Sequence, residues 1–181
     1  MKMKNIILGI TGSIAAYKAA DIANELTKAG CSVHVIMTKA AQQFISPLTF
    51  QTLTRNNVYT DMFEPYNVTE VEHISLSEKA DLFLVAPADA NFLAKAATGI
   101  ADDMLTTSFL AYRDKPVLIA PAMNTNMYEN PVTQRNIGVL RQLGFDFIEP
   151  RSAMLACGTV GKGALAETDV IVREALQAVS T

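Results

Sequence analysis

Apolar residues fall into short dense runs along this chain, and the runs alternate with stretches whose apolar positions recur at helical spacing. Asn5 to Ile10, Ser32-Val-His-Val-Ile-Met37, Leu82-Phe-Leu-Val-Ala86, Val117 to Ala120 and Phe145 to Ile148 each have the length and content of a buried strand. Between the first two, Ile14, Ala15, Ala19, Ile22, Ala23 and Leu26 mark one face of a helix that stops at Gly30. Ser46-Pro47 reads as an N-cap and first turn opening a helix through Leu53. Further helices are expected over Ala88 to Ala97, from Asp102 or Asp103 to about Tyr112, from Asn130-Pro131 to Gly144, and over Asp169 to Val179. Arg55 to Glu72 is polar and irregular, and residues 151 to 166 read as a Gly-rich loop. Strand–helix–strand units of about thirty residues demand right-handed parallel crossovers. The expected fold is therefore α/β: a doubly wound, mostly parallel sheet in a Rossmann- or flavodoxin-like three-layer sandwich, with residues 1 to 181 as one domain.

The junction of the first strand and helix, Gly9-Ile-Thr-Gly-Ser13, adds chemistry to this pattern. Its glycines permit close backbone approach, Thr11 and Ser13 offer hydroxyls, and the first helical turn presents unpaired N–H groups to an anion. The spacing is not G-x-G-x-x-G, and no acidic residue ends the second strand at Met37-Thr38-Lys39, which favours a monophosphate over a dinucleotide. Thr38 stands at a strand's carboxyl end, where it reads equally as a ligand contact or as a turn residue.

Three later segments are open to two readings. His73, after the polar loop, is better placed to act as a base than His34 inside its strand, yet a loop histidine is often only a solvated polar group. Pro121-Ala-Met-Asn-Thr-Asn-Met127 follows a buried strand and combines soft apolar walls with neutral amides. Such an amide can hold a carboxylate without fixing its charge as arginine would, which suits a carboxylate that leaves as carbon dioxide; the alternative is a turn that caps the next helix. Ala156-Cys-Gly-Thr-Val-Gly-Lys-Gly163 is either a flap presenting a thiol or a plain surface loop.

Composition narrows the classes. The net charge of −3 argues against general nucleic-acid binding, and no apolar run reaches the ~18 residues of a membrane helix. Cys31 and Cys157 form neither a disulfide framework nor a metal-ligand spacing. Lys2 and Lys4 before an apolar run resemble a signal peptide, but Thr11 to Ser13 interrupt it, so a cytoplasmic location is expected.

Taken in order, Gly9 to Lys18, His73, Ala86-Pro-Ala-Asp-Ala-Asn91, Gly99 to Leu105, Pro121 to Met127 and Ala156-Cys-Gly158 resemble the flavin-dependent cysteine decarboxylases, in particular the branch serving coenzyme A synthesis. That resemblance implies FMN as cofactor, its phosphate at Gly12, Ser13 and Ile14 with a contact from Thr38. Pro87, Ala88, Asn91 and Ser108 would flank the flavin or that of a neighbouring subunit. It implies His73 as base, Asn124 as the carboxylate-binding amide and Cys157 as proton donor. Met127, Ala156 and Lys162 would meet substrate, with Lys162 serving substrate phosphate or solvent. The implied substrate is 4'-phosphopantothenoylcysteine. Oxidation of its thiol-bearing carbon places a thioaldehyde β to the carboxylate, carbon dioxide leaves, and re-reduction gives 4'-phosphopantetheine. Many relatives are fused to a synthetase, so a separate phosphopantothenoylcysteine synthetase is expected here, together with assembly as a homotrimer or homododecamer. Phe44, Phe50 and Phe63 are expected as exposed interface residues. No metal, nucleic acid or membrane is expected to take part.

Overall fold

The computed structural model describes residues 3–64, 71–154 and 160–180. Six parallel strands form the central sheet: β1 (Asn5–Ile10), β2 (Ser32–Met37), β3 (Val58–Tyr59), β4 (Leu82–Ala88), β5 (Val117–Pro121) and β6 (Asp146–Phe147), in the order β3-β2-β1-β4-β5-β6. The helices are α1 (Lys18–Lys28), α2 (Pro47–Thr54), α3 (Glu72–Lys79), α4 (Ala90–Thr98), α5 (Met104–Ala111), α6 (Thr125–Glu129), α7 (Pro131–Gln142) and α8 (Thr168–Ser180). A separate antiparallel pair joins β7 (Arg151–Met154) to β8 (Val160–Ala164).

Side-chain alternation along the strands divides the core into two layers. Ile6, Leu8 and Ile10 of β1 join Leu82, Leu84 and Ala86 of β4 on one face, under Ile22 and Leu26 of α1, Phe50 of α2 and Ile171 of α8. Ile7, Phe83 and Val85 face the other way, beneath Leu76 of α3, Phe92 of α4, Leu105 of α5 and Leu140 of α7. A strand covered on both faces must be apolar at every position, which is why these strands read as continuous runs rather than as alternating ones.

Winding reverses between β1 and β4. The chain runs from β1 outward to β3, then returns to β4 and proceeds outward to β6, so the loops leaving β1 and β4 diverge at the carboxyl edge. Such a crevice is where open α/β sheets hold ligands.

Several boundaries differ from expectation for identifiable reasons. The opening helix begins as a 310 turn over Ile14–Tyr17 before becoming α1. β4 continues through Pro87, because Pro87 falls within a register shift between Val85 and Ala88 where its missing N–H breaks no ladder bond. The polar stretch after Arg55 contributes β3, and His73 lies inside α3 rather than in a loop. The Gly-rich segment near residue 160 supplies β7 and β8, because Gly161 and Gly163 let β8 lie directly against α6. Phe50 is fully buried, not an interface residue: it lies on the inward face of α2. Phe44 and Phe63 are exposed as expected. Among the described residues, no helix is long and apolar enough to cross a membrane.

Candidate functional site

The turn after β1 is held by hydrogen bonds to the segment after β4. Thr11 is fully buried; its N–H and hydroxyl both donate to Pro87 O, at 3.2 and 2.8 Å, and Oγ1 accepts from Asp89 N–H at 2.8 Å. Asp89 answers with its carboxylate: Oδ2 accepts from Gly12 N–H at 3.1 Å, and Oδ1 caps α4 by accepting from Phe92 N–H at 2.7 Å. A Cβ on Gly12 would lie 2.5 Å from that of Ala40, so no larger residue fits between this turn and the segment after β2. Ser13 Oγ accepts from Ala15 N–H at 3.2 Å, which leaves its proton for donation. Ile14, the first residue of the 310 turn, has no intrahelical partner for its N–H.

This turn opens on a cavity of ≈ 470 Å³. Gly12, Ser13, Ile14, Asn124 and Met127 line it together, and Phe44, Met123 and Met154 supply apolar wall. Asn124 caps α6, its Oδ1 accepting from Asn126 N–H at 2.8 Å, so both readings of the Asn-rich turn hold at once: it is a helix cap and it faces a cavity. Met123 N–H donates to Gly163 O at 2.9 Å, and a Cβ on Gly163 would collide with Met123 O. Gly163 also has φ +145°, a conformation L side chains rarely adopt. The β7–β8 pair is thus pressed against the cavity wall that carries Asn124.

A second cavity of ≈ 410 Å³ lies on the other side of the turn, lined by Thr38, Ala40, Asn91, Lys95 and Met104 among others. Thr38 Oγ1 accepts from Ala41 N–H at 3.1 Å, so the turn role is filled while the side chain still faces the cavity. Among the described residues, Asp89 alone lines both cavities. Burial pushes its carboxyl above the usual range, against the lowering effect of the N–H groups of Phe92 and Gly12.

The remaining expected site residues lie elsewhere. Pro87 and Ala88 are buried in β4 beneath the crevice. Ser108 is buried in α5, its carbonyl accepting from Ser77 Oγ at 2.9 Å, and its own Oγ has no partner. His73 is half-buried in the first turn of α3 and lines neither cavity. Lys162 lines neither: its Nζ bonds Glu149 at 2.7 Å and sits 5.4 Å from the Tyr128 ring centroid. Burial alone would raise the Glu149 carboxyl, but Lys162 and Arg141 hold it below its usual value. Ala156 and Cys157 lie outside the described residues.

Two residues escape a reading by motif. Asp89 sits in the middle of Ala86–Asn91 but looks there like a simple helix cap, and Arg151 opens a segment read as loop. Arg151 lines the first cavity while its Nε reaches Leu165 O and Glu167 Oε1, each at 3.1 Å. An acidic side chain directly after a strand end, opposite a glycine turn, is the signal that could have found Asp89.

The donor set suits FMN. A hydroxyl proton and a first-turn N–H match a phosphate, and the sulfur-rich apolar wall matches a flat ring system. Ser13 and Ile14 would hold the phosphate, with Met123, Met127 and Phe44 beside the ring. Among the described residues, no group of three acidic, His or Cys side chains could hold a metal ion.

In sequence and in fold, the chain is similar to known proteins. The chain is 52% identical over 172 residues to the probable phosphopantothenoylcysteine decarboxylase of Streptococcus mutans, covering 94% of this chain and 96% of that protein. It is 53% identical over 170 residues to the coenzyme A biosynthesis bifunctional protein CoaBC of Bacillus subtilis, spanning 42% of that longer protein. Among solved structures, a cysteine-to-serine mutant of PPC decarboxylase complexed with pantothenoylaminoethenethiol superposes with a TM-score of 0.92 at 33% identity, over 99% of this chain and 100% of that one. The FMN binding protein AtHal3 gives a TM-score of 0.87 at 34% identity, over 97% and 96% of the two chains. The Flavoprotein family model matches residues 1–180, and the chain belongs to that family.

Proposed function

We propose that this chain is an FMN-dependent carboxy-lyase that converts 4'-phosphopantothenoylcysteine to 4'-phosphopantetheine in coenzyme A synthesis. The observation that carries this reading is the meeting, in one cavity, of the Ser13 turn and Asn124. A phosphate-binding turn and a neutral carboxylate-binding amide share an apolar chamber beside the β7–β8 pair.

FMN, when bound, supplies the oxidation of the substrate's thiol-bearing carbon and returns the same two electrons after carbon dioxide has left. The protein's part is alignment and proton movement. Asn124 orients the carboxylate; its amide carries no positive charge, so it does not stabilise the ionised ground state that must be lost. Met123 and Met127 exclude water from the breaking bond. Cys157 Sγ delivers the proton that completes the product. His73, as base, would act on a ligand held by a second copy of the chain, because it lines neither of the two cavities beside the Gly12–Ser13 turn. That agrees with assembly as a trimer or a dodecamer of trimers with flavin at the boundary. A phosphopantothenoylcysteine synthetase activity would supply the substrate, and the location is cytoplasmic.

The test is direct. Freshly purified protein should be yellow with flavin absorbance and, given 4'-phosphopantothenoylcysteine, should yield 4'-phosphopantetheine with loss of carbon dioxide by mass spectrometry. Colourless protein that takes up no added FMN, or flavin-loaded protein that leaves the substrate unchanged, refutes the reading.

A further inference from the structure

The turn assigned to the cofactor's phosphate already faces an anion of the protein's own. The Asp89 carboxylate takes the Gly12 N–H at 3.1 Å and the Phe92 N–H at 2.7 Å, and it forms part of the wall common to both cavities. The Ser13 hydroxyl and the Ile14 N–H follow directly in the chain. A phosphate seated on them comes to rest beside this carboxylate, in a partly buried place where water screens the repulsion poorly. Two neighbouring acids in such a place do not both stay fully ionised.

We propose that Asp89 is a stand-in anion for the cofactor site: its carboxylate holds the Gly12–Ser13 turn in shape until a phosphate monoester is seated there, then takes up a proton. This rests on the reading that FMN places its phosphate on this turn. In the exchange one proton moves from solvent to Asp89, and the Gly12 N–H passes from Oδ2 to a phosphate oxygen. Nothing is oxidised or reduced. Oδ1 continues to cap α4 throughout.

The charges around Asp89 favour the exchange. On the second cavity's side Lys95 is taken by Asp102 at 2.7 Å and Asp103 at 3.7 Å, so it does little to stabilise a nearby carboxylate. Asp103 itself pushes the Asp89 carboxyl further up, in the same direction as burial. Lys39 and Asp61 on that side are of opposite sign. On the first cavity's side, Arg151 is paired with Glu167, and Lys18 remains to meet an incoming anion.

Calorimetric titration of FMN, and separately of riboflavin, into the flavin-free full chain at pH 7.5 tests the proposal, run in two buffers of different ionisation heat to count protons. Wild type should take up more protons with FMN than Asp89→Asn does, by roughly half a proton per site or more, because the amide is already neutral. Riboflavin, which lacks the phosphate, should show no such difference. Asp89→Ser keeps a cap for α4 without a charge and should behave as Asp89→Asn does. Equal proton counts in all three proteins overturn the proposal. So does a parallel loss of FMN and riboflavin affinity with lowered melting temperature in both variants, which leaves Asp89 a helix cap only. Ser13→Ala separates the two layers of the argument: it should weaken FMN relative to riboflavin. If it does so while the proton counts match, the Asp89 proposal alone falls; if the ratio is unchanged, the phosphate does not use this turn and both fall.

Discussion

Single side chains at this site hold in place the elements that carry them. Asn124 caps α6 through Oδ1, which fixes the position of its amide. Asn124→Asp keeps the capping oxygen but places a carboxylate against the substrate's own. Turnover should therefore be abolished while flavin absorbance is retained; unchanged product formation would remove Asn124 from the reaction. Thr11 is similar in kind. Thr11→Val removes the acceptor of Asp89 N–H and leaves Pro87 O with the backbone N–H alone, a loss of about 1–3 kcal/mol for the orphaned Asp89 N–H, read by urea unfolding. His34 behaves oppositely, since its environment disfavours its charge. Burial lowers its pKa below the usual 6.5, and Lys79 adds to the effect. The folded state then binds fewer protons than the unfolded one as pH falls through 6.5 toward the lowered value, so stability declines across that window. His34→Gln should flatten the slope of unfolding free energy between pH 5 and 7, and an unaltered slope would place the titration elsewhere.

At the scale of elements, the decisive contact is between the β7–β8 pair and α6. Gly161 and Gly163 offer no side chains, so β8 comes to lie against Thr125 and Met123. The Met123–Gly163 hydrogen bond and the Lys162 ammonium over the Tyr128 ring, 5.4 Å from its centroid, fasten the two elements together. Gly163→Ala meets two obstacles, a positive φ and the Met123 carbonyl. It should cost ~1–3 kcal/mol and displace Asn124, lowering kcat more than it lowers flavin binding. Equal flavin affinity with full activity would show that the strand pair does not set the amide. Lys162→Ala breaks an exposed pair and an exposed contact with the Tyr128 ring, each worth ~0–1 kcal/mol, so a large loss of activity there would instead signal contact with substrate phosphate.

For the whole molecule, the winding reversal between β1 and β4 brings two glycine- and proline-marked loops together, and the two apolar layers hold that crevice open. Phe50, fully buried beside α1, belongs to this support rather than to any interface. Phe50→Ala should destabilise the fold by about 3–5 kcal/mol without altering the size of the assembly. Analytical ultracentrifugation should find a multiple of three subunits of 19.6 kDa, and a monomer with full activity would contradict the role given to His73. Phe44 and Phe63 are exposed on the single chain.

Continuous apolar runs and helical spacing, both local properties, were enough to establish the parallel α/β class and place the Gly12–Ser13 turn at a strand's end. A strand buried on both faces can be recognised from its own residues, and so can a cap such as Ser46 or Asp103. The partners of Asp89 were not legible, because Gly12 and Asp89 are 77 positions apart and meet only once β1 and β4 have paired. The strand pair near residue 160 was hidden for a related reason: glycine weakens strand propensity locally, and only its close approach to α6 makes it fit. Spacing along the chain thus determined which elements form. Long-range packing decided which of their side chains share a cavity, as Ser13 and Asn124 do and His73 does not.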